Sequence, residues 1–154
     1  MPLEFVTNVN QSRRESLLQQ WSQTHDSKHT IPSIYVVAVT SENQVVGYCE
    51  LGPNPEPSET QYPISLETIH VAKKYQGCGI SKSLIVEAVR LMLSLSDMTG
   101  GVVVKAFQQN QRAISFYKKV GAEWLWDFET SEYGGQSRQA VALGWKSMKD
   151  IISK

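Results

Sequence analysis

The sequence predicts a mixed α/β (α+β) fold, with a mostly antiparallel central sheet of about seven strands flanked by helices on both faces. Short segments with the apolar patterns of strands outnumber helical segments. Strands and helices interleave only in part, in the order β-α-β-β-β-α-β-α-β-β, which indicates a mixed sheet. The length of 154 residues favours a single domain over 1–154 with a sizeable core.

The composition narrows the classes of partner. Lys+Arg and Asp+Glu are equal at 15 each, which argues against a nucleic-acid or anionic-membrane partner. No apolar stretch approaches membrane-spanning length, and the start lacks a basic segment followed by an apolar run, so we expect a cytoplasmic protein. The two cysteines, Cys49 and Cys78, make neither a disulfide framework nor a four-ligand zinc site, and no metal is predicted.

A first strand and a first helix are predicted near the start of the chain. LEFVTNV, over 3–9, has the apolar pattern of a short strand. The segment 11–25 is predicted to be helical because Ser12 and Glu15 have the spacing of a capping box. Its apolar residues lie on one side at helical spacing, namely Leu17, Leu18 and Trp21.

Three further strands are predicted before the middle of the chain. The segments 33–40 and 44–52 have strand patterns and are close enough to form a hairpin. The segment 52–63 holds four prolines and is predicted to be a loop. The third predicted strand is ISLETIHVA, over 64–72, which has the apolar pattern of a strand.

A long helix is predicted over 79–97, because its apolar residues recur every three or four positions. These residues are Ile80, Leu84, Ile85, Ala88, Val89, Met92 and Leu95. The continuous apolar run within 100–107 then predicts a buried strand.

The last predicted helix and the last two strands follow each other closely. A short helix over 110–121 has Asn110 as its N-cap and Gly121 at its C-terminal end. The segments 122–129 and 138–145 alternate as a closing pair of strands. Trp124, Trp126 and Phe128 are expected on one face, as core residues rather than a substrate pocket.

The segment KYQGCGISKS, over 74–83, joins a predicted strand to the long helix. Backbone N–H groups and the dipole at a helix start favour an anion such as a phosphate. A P-loop does not fit, because Gln76 and Ser81 occupy both glycine positions ahead of Lys82 and Ser83.

A dinucleotide-binding fingerprint fits this segment only in part. Gly77 and Gly79 match its first two glycines, but Lys82 occupies the third position, where glycine permits close packing of helix on strand. The segment also follows three strands that look antiparallel, which is the wrong context for that fingerprint.

A third pattern, Gln/Arg-x-x-Gly-x-Gly/Ala between a strand and a long helix, matches residues 76–81 in its first four positions. Further along, 110–121 carries Asn-x-x-Ala-x-x-x-Tyr-x-x-x-Gly. With these two motifs in this order, the sequence resembles the GNAT family of N-acetyltransferases, from the hairpin at 33–52 to the final strands. The resemblance implies the GNAT fold and acetyl-CoA (coenzyme A) as cosubstrate.

The resemblance also implies which residues contact the cofactor. Backbone groups of the strand before the loop would hold the pantetheine arm, and the loop would cradle the pyrophosphate. Asn110 and Tyr117 of the second motif would face the same groove. Carried over by position, the other cofactor-binding residues are Ile69, His70, Val71, Gln76, Gly77, Cys78, Gly79, Ile80 and Ser81. Ser81 departs from the Gly or Ala of the family, and Lys73, Lys74 and Lys82 surround the loop.

Two residues are candidates for proton transfer. Tyr117 is the candidate general acid, since a phenol with a pKa of about 10 is protonated at neutral pH and can protonate the departing thiolate. Glu67 is the candidate general base, acting directly or through an ordered water, and a solvent-facing or paired carboxylate without a catalytic role is an equal alternative. His70 is expected on the other strand face. Cys78 is not expected to act as a nucleophile, because no base is evident beside it in sequence.

The resemblance implies an enzyme that transfers an acetyl group to a primary amine by direct attack. A module that binds an acyl-CoA without turnover is the alternative, and a nucleotide-binding domain is a weaker one. The acceptor stays open among small amines and the amines of peptides or proteins, and a homodimer also stays open. In this family the acceptor depends on loops and first helices, which correspond here to 22–32, 52–63 and 130–136.

Overall fold

The computed structural model describes residues 3–7, 31–95, 100–131 and 136–153. The chain divides into two compact units, the first with Met1–Pro53 and Glu67–Met98 and the second with Asn54–Leu66 and Thr99–Lys154. The helix predicted over 11–25, with Ser12 and Glu15, lies outside the described residues. No helix in the described ranges is long and apolar enough to cross a membrane.

The first unit is a set of strands with one long helix. Its elements are β1 (Leu3–Thr7), β2 (Ile34–Thr40), β3 (Val45–Pro53), the Glu67–Val71 part of β4 (Ile64–Val71), a 3₁₀ turn (Lys73–Tyr75) and α1 (Ile80–Leu95). The strands lie in the order β1-β2-β3-β4. The predicted hairpin is confirmed, because β2 and β3 pair antiparallel with Tyr35 opposite Glu50.

Strand alternation gives the β2–β3 hairpin one buried and one exposed face. Val36, Cys49 and Leu51 have no solvent exposure, whereas Tyr35 and Tyr48 are 44% and 42% exposed. The buried side of α1 is the predicted one, formed by Ile80, Leu84, Ile85, Ala88, Val89 and Met92.

A glycine lets α1 and β4 approach β3. A Cβ at Gly47 would lie 3.0 Å from the His70 carbonyl oxygen and 3.3 Å from Leu84 Cδ1. A larger residue would therefore push against both neighbours.

The second unit contains the end of the chain. Its elements are the start of β4, β5 (Val102–Phe107), α2 (Gln111–Lys119), β6 (Glu123–Thr130), β7 (Arg138–Trp145) and α3 (Met148–Ile152). The strand order is β4-β5-β7-β6. Ile64 and Ser65 of β4 pair parallel with β5, while β7 pairs antiparallel with both β5 and β6. The predicted mixed fold with a mostly antiparallel sheet of seven strands is confirmed.

The predicted face of three aromatic residues on β6 is wrong, because the ladder has a bulge. Trp124 lies opposite Leu143 and Trp126 lies opposite Ala142, so the pairing skips Leu125. One extra residue reverses the alternation. Trp126 and Phe128 pack against the cluster of Tyr62, Val103 and Ala142, but Trp124 is 44% exposed and its Nε1 donates to Asp127 Oδ1 at 2.8 Å.

The short helix α3 was not predicted. Ser147 caps it, because its Oγ accepts a hydrogen bond from the Lys149 N–H at 3.2 Å. Met148 and Ile151 are buried. A serine followed by spaced apolar residues was the available signal, and tertiary burial makes so short a helix stable.

Candidate active site

The end of β4 is tied to β3 before the chain enters the glycine loop, defined as residues 76–79. The Ala72 N–H donates to the Val46 carbonyl at 2.8 Å, and the Tyr75 N–H donates to the Ala72 carbonyl at 2.8 Å. Gln76 Nε2 donates to the Val71 carbonyl at 2.9 Å, so this side chain folds back onto the end of the strand. These bonds place the loop between β4 and α1.

Two glycines give the loop its shape. Gly77 and Gly79 have φ angles of 83° and 81°, which residues with a Cβ rarely adopt. A Cβ at either position would meet no atom within 4 Å, so the space beside both residues is open. Glycine is therefore needed at both positions for the backbone angle and not because a neighbouring atom would clash with a side chain. The open space beside the two residues leaves room for a ligand.

The glycine loop is exposed and leads into a buried helix. Gln76, Gly77, Cys78 and Gly79 are exposed, Ser81 is half-buried, and Ile80 is buried. Helical hydrogen bonding begins with the Ser83 N–H donating to the Gly79 carbonyl at 3.1 Å. The N–H groups of the first turn have no partner inside a helix, and they make this end a place for an anion.

Charged side chains near the start of α1 are basic. The first turn of α1 contains no acidic residue. Lys73, Lys74 and Lys82 are exposed around the loop. A cation at a helix N-terminus is unfavourable with the helix dipole, and a bound anion would offset that cost.

The predicted strand residues fall on different sides of β4. Val71 is buried and lies near Gly47, whereas His70 is exposed and its ring centroid is 5.8 Å from that of Tyr48. Ile69 is half-buried. Glu67 is exposed, and none of the ion pairs between described residues involves it. Its carboxylate is therefore accessible to solvent or to a substrate.

Asn110 and Tyr117 lie on α2 of the second unit. Asn110 Oδ1 accepts a hydrogen bond from the Ala113 N–H at 3.2 Å, so this side chain is the helix N-cap. Tyr117 is 8% exposed, and its ring centroid is 5.4 Å from that of Phe116. Gly121 follows the helix with a φ of 101°. The seven-residue spacing of Asn110 and Tyr117 is about two helical turns, which places them on the same side.

The predicted loop between β3 and β4 is ordered by Asn54. Its Nδ2 donates to Glu59 Oε1 at 3.0 Å and to the Tyr62 carbonyl at 2.8 Å. Glu59 Oε2 also pairs with Lys105 Nζ at 3.1 Å. Beside the loop is a cavity of about 320 Å³ lined by Ser58, Glu59, Thr60, Gln61, Tyr62 and Trp126. The other two segments linked to the acceptor, 22–32 and 130–136, lie largely outside the described residues.

The two cysteines differ in environment. Burial raises the pKa of the Cys49 thiol to about 12, and the charge of Glu50 adds to the effect. Cys49 is therefore an inert neutral thiol at physiological pH. Cys78 is exposed in the glycine loop, with its Sγ 3.9 Å from the Gln76 carbonyl oxygen.

Sequence reasoning assigned no role to the exposed face of the β2–β3 hairpin. Tyr35, Tyr48 and Glu50 share that face, as the cross-strand pairs Tyr35–Glu50 and Val37–Tyr48 show. Alternation in the sequence places Tyr48 and Glu50 on one face of β3, but the register that sets Tyr35 opposite Glu50 comes from the pairing of the two strands.

Comparisons with known proteins agree on the fold. The Arabidopsis thaliana protein NAA60, solved with a bisubstrate analogue, has a TM-score of 0.65 at 19% identity, over 94% of this chain and 98% of that one. A phosphinothricin acetyltransferase from Sinorhizobium meliloti, solved with AcCoA, has a TM-score of 0.64 at 15% identity, over 96% and 89%. A spermidine N-acetyltransferase SpeG chimera from Vibrio cholerae and hSSAT has a TM-score of 0.63 at 13% identity, over 99% of each chain.

Sequence comparison identifies the family to which the chain belongs. No curated protein matches the chain significantly. The model of the acetyltransferase (GNAT) family, however, matches residues 4–122, which include β4, the glycine loop and both sequence motifs. The resemblance inferred from the motifs is confirmed, and with it the assignment to the acyltransferase class of enzymes. The chain belongs to the acetyltransferase (GNAT) family.

Proposed function

We propose that this protein is an acetyl-CoA-dependent N-acetyltransferase that transfers the acetyl group of the CoA thioester to a primary amine by direct attack. The observation that carries the proposal is the open glycine loop at the start of α1, with positive φ at Gly77 and Gly79, in a chain of this family. Solved proteins of the same fold include one in complex with AcCoA.

The glycine loop and the first turn of α1 would hold the pyrophosphate. Backbone N–H groups from Gly77 to Ser81 can donate to phosphate oxygens, and the helix dipole favours the negative charge. The Gln76 N–H already donates to the Lys73 carbonyl at 3.3 Å, so Gln76 would take part through the position of its side chain on the end of β4. The exposed lysines near the loop add a favourable field. Cys78 and Ile80 would contribute through their backbone, so their side chains are free to vary.

The backbone of β4 would hold the pantetheine arm. Ile69, His70 and Val71 offer N–H and C=O groups along an extended strand, to which an amide-containing arm can add as another strand would. One N–H of this stretch would polarise the thioester carbonyl. Asn110 and Tyr117 complete the proposed set of cofactor contacts from α2.

Two proton transfers accompany acetyl transfer. A primary amine with a pKa near 10 is almost wholly protonated at pH 7, so it must lose a proton before its lone pair attacks the thioester carbon. Glu67, exposed on β4, would accept that proton directly or through water. As the C–S bond breaks, the thiolate leaves with the electron pair, and Tyr117 would protonate it.

The acceptor is proposed as an amine of a small molecule or of a peptide or protein. Among proteins of similar fold, one is named a spermidine N-acetyltransferase, and another, NAA60, was solved with a bisubstrate analogue. The single domain over 1–154, the cytoplasmic location, a homodimer and the absence of nucleic-acid or membrane partners stay predictions.

A binding experiment and a turnover experiment together test the function. Saturating acetyl-CoA should raise the melting temperature, since a ligand selective for the folded state stabilises it. CoA release should then appear with at least one member of a panel of amines. No thermal shift at a dose on the millimolar scale would overturn the cofactor assignment. Binding without CoA release from any amine would favour the non-catalytic acyl-CoA-binding module.

A further inference from the structure

The cavity beside the loop between β3 and β4 lies within the second unit, and we name it the hydroxyl cavity. Its volume of about 320 Å³ is at the lower end of the range for small-molecule pockets. Its lining is formed by five consecutive residues and one residue of β6, namely Ser58, Glu59, Thr60, Gln61, Tyr62 and Trp126. Each of these side chains has a hydrogen-bonding group, so the lining suits a polar ligand.

Packing fixes the position of the Tyr62 ring in this lining. A Cβ at Gly101 would lie 2.6 Å from Tyr62 Cδ1, and a Cβ at Gly144 would lie 3.3 Å from Tyr62 Cε1, so both glycines make room for the ring. The ring also meets that of Trp126 edge to face, with 6.0 Å between the centroids and 62° between the planes. The hydroxyl of Tyr62 is therefore held on a rigid support.

That hydroxyl is a buried polar group without a protein partner. Tyr62 is 8% exposed, and no hydrogen bond between described residues involves its hydroxyl. Burial raises the pKa of Tyr62, and the charge of Glu123 adds to the effect, so the phenol is protonated at neutral pH and can donate. Buried tyrosine hydroxyls usually have a partner. Because Tyr62 lines the cavity, a molecule bound there can supply the missing one.

The charge within the lining is compensated, which favours a neutral ligand. Glu59 is the charged residue among the lining residues, and its Oε2 pairs with Lys105 Nζ at 3.1 Å. Glu59 Oε1 accepts a hydrogen bond from Asn54 Nδ2 at 3.0 Å. A cationic ligand would compete with Lys105 for the carboxylate, and an anionic ligand would be repelled by it. Either ion would lose water without gaining an unpaired opposite charge.

The other polar groups of the lining include both donors and acceptors. Ser58, Thr60 and Gln61 are exposed at the rim and can donate as well as accept. Trp126 is half-buried, and its Nε1, which can only donate, has no hydrogen bond to any described residue. A ligand hydroxyl can accept from one such group and donate to another, so a polyol matches this mixture. The Trp126 ring offers apolar surface to the C–H groups of the same ligand.

We propose that the hydroxyl cavity binds a neutral polyol of monosaccharide size. The Tyr62 hydroxyl donates to one oxygen of this ligand, the Trp126 ring covers its C–H face, and the rim groups bind its outer hydroxyls. The inference goes beyond the proposed acetyl transfer and does not depend on it. A neutral polyol has no amine, so this ligand is not the acetyl acceptor.

Titration calorimetry of the whole protein with glucose, galactose and mannose tests the proposal. At least one sugar should bind with a dissociation constant on the order of 1 mM, the range for a ligand of about a dozen non-hydrogen atoms. The amino sugar and the uronic acid of the same configuration should bind about threefold or more weakly, because each adds an uncompensated charge. No binding of any of the three sugars at about 50 mM would overturn the proposal. Tighter binding of either charged form would also overturn it.

Tyr62→Phe removes the unpaired hydroxyl and keeps the ring beside Gly101 and Trp126. The dissociation constant for the sugar should rise about three- to tenfold, the effect of one neutral hydrogen bond. The melting temperature should not fall, because the hydroxyl has no partner among the described residues. Tyr35→Phe is the matched control, since that hydroxyl donates to Glu50 in the first unit, and it should keep the parent affinity. Parent affinity in Tyr62→Phe would overturn the proposal.

Two tryptophans of β6 provide a second matched pair. Trp126→Phe should weaken sugar binding, because it deletes the free Nε1 donor and part of the ring that lines the cavity. Trp124→Phe should leave binding unchanged, because Trp124 is outside the lining and its Nε1 already donates to Asp127 Oδ1. Equal effects of the two substitutions would show that the sugar does not bind in the hydroxyl cavity.

Discussion

The glycine loop of the first unit and helix α2 of the second unit both match family motifs. The first motif depends on backbone atoms, whereas the second depends on side-chain atoms. In the glycine loop the backbone matters, because Gly77 and Gly79 have positive φ and an open side, while Cys78 holds a position that the motif leaves unspecified. On α2 the side chains matter, because Asn110 caps the helix and Tyr117 is buried within the same motif. The loop should therefore respond to changes in conformation, and α2 to the loss of single polar atoms.

The largest expected effect is at Tyr117. Tyr117→Phe keeps the ring and its packing against Phe116 but deletes the proton donor. We expect kcat to fall roughly ten- to a thousandfold, with acetyl-CoA affinity nearly unchanged, which is the range for losing one proton-transfer group. Initial rates of CoA release measure it, and Tyr75→Phe serves as a control outside α2. An unchanged kcat would remove Tyr117 from the role of general acid.

The next largest effect should be at Gly79. A β-branched residue disfavours the φ of 81° and projects into the open side, so Gly79→Val should weaken acetyl-CoA binding by about tenfold or more. The loss of folding stability should stay near 1–3 kcal/mol, the usual cost of a strained residue. Titration calorimetry and thermal melts separate the two quantities.

Cys78→Ala is the matched control for the loop, because it changes a neighbouring side chain without a positive φ. Its affinity for acetyl-CoA should stay close to that of the parent. A folded Gly79→Val variant with parent affinity would show that the loop does not cradle phosphate.

A smaller effect, dependent on pH, is expected at Glu67. Glu67→Gln should lower kcat/KM about tenfold near pH 7 and progressively less as the pH rises toward the pKa of the amine, where the free amine needs no base. The measurement is the pH profile of kcat/KM for one amine, with Glu42→Gln as an exposed control outside the segments linked to the acceptor. If the kcat/KM of Glu67→Gln equals that of the parent at every pH, an ordered water is the better candidate for the base, and the protein contributes proximity.

The smallest effect separates two roles of Asn110. Asn110→Ala removes the cap of α2 and should cost about 1 kcal/mol of unfolding free energy. Asn110→Asp keeps an oxygen that can accept from the Ala113 N–H, so stability should return. If Asn110 also donates to the cofactor, the Asp variant should still bind acetyl-CoA more weakly than the parent. Denaturant titrations measure the unfolding free energy, and calorimetry measures the affinity for acetyl-CoA. If the Asp variant recovers both quantities in full, the role of Asn110 is limited to capping.

Most of the fold followed from local patterns. Helix α1 and the β2–β3 hairpin were predicted because their apolar spacing and turn lengths are local properties. The glycine loop followed for the same reason, since positive φ at Gly77 and Gly79 needs no distant partner. The N-cap role of Asn110 was likewise visible in the residue type and its position before a helical run.

Other features depended on contacts between distant segments. The bulge at Leu125 is set by the pairing of β6 with β7, and it sends Trp124 to a different face from Trp126. Helix α3 is too short to form alone, and burial of Met148 and Ile151 supports it.

The sequence by itself thus determined the family, the order of the strands and of α1 and α2 along the chain, and the loop that offers backbone N–H groups. Tertiary structure decided the exposed grouping of Tyr35, Tyr48 and Glu50, and the contact of Tyr48 with His70. The reason is physical: backbone conformation responds to neighbouring residues, whereas the register between strands decides which distant side chains meet.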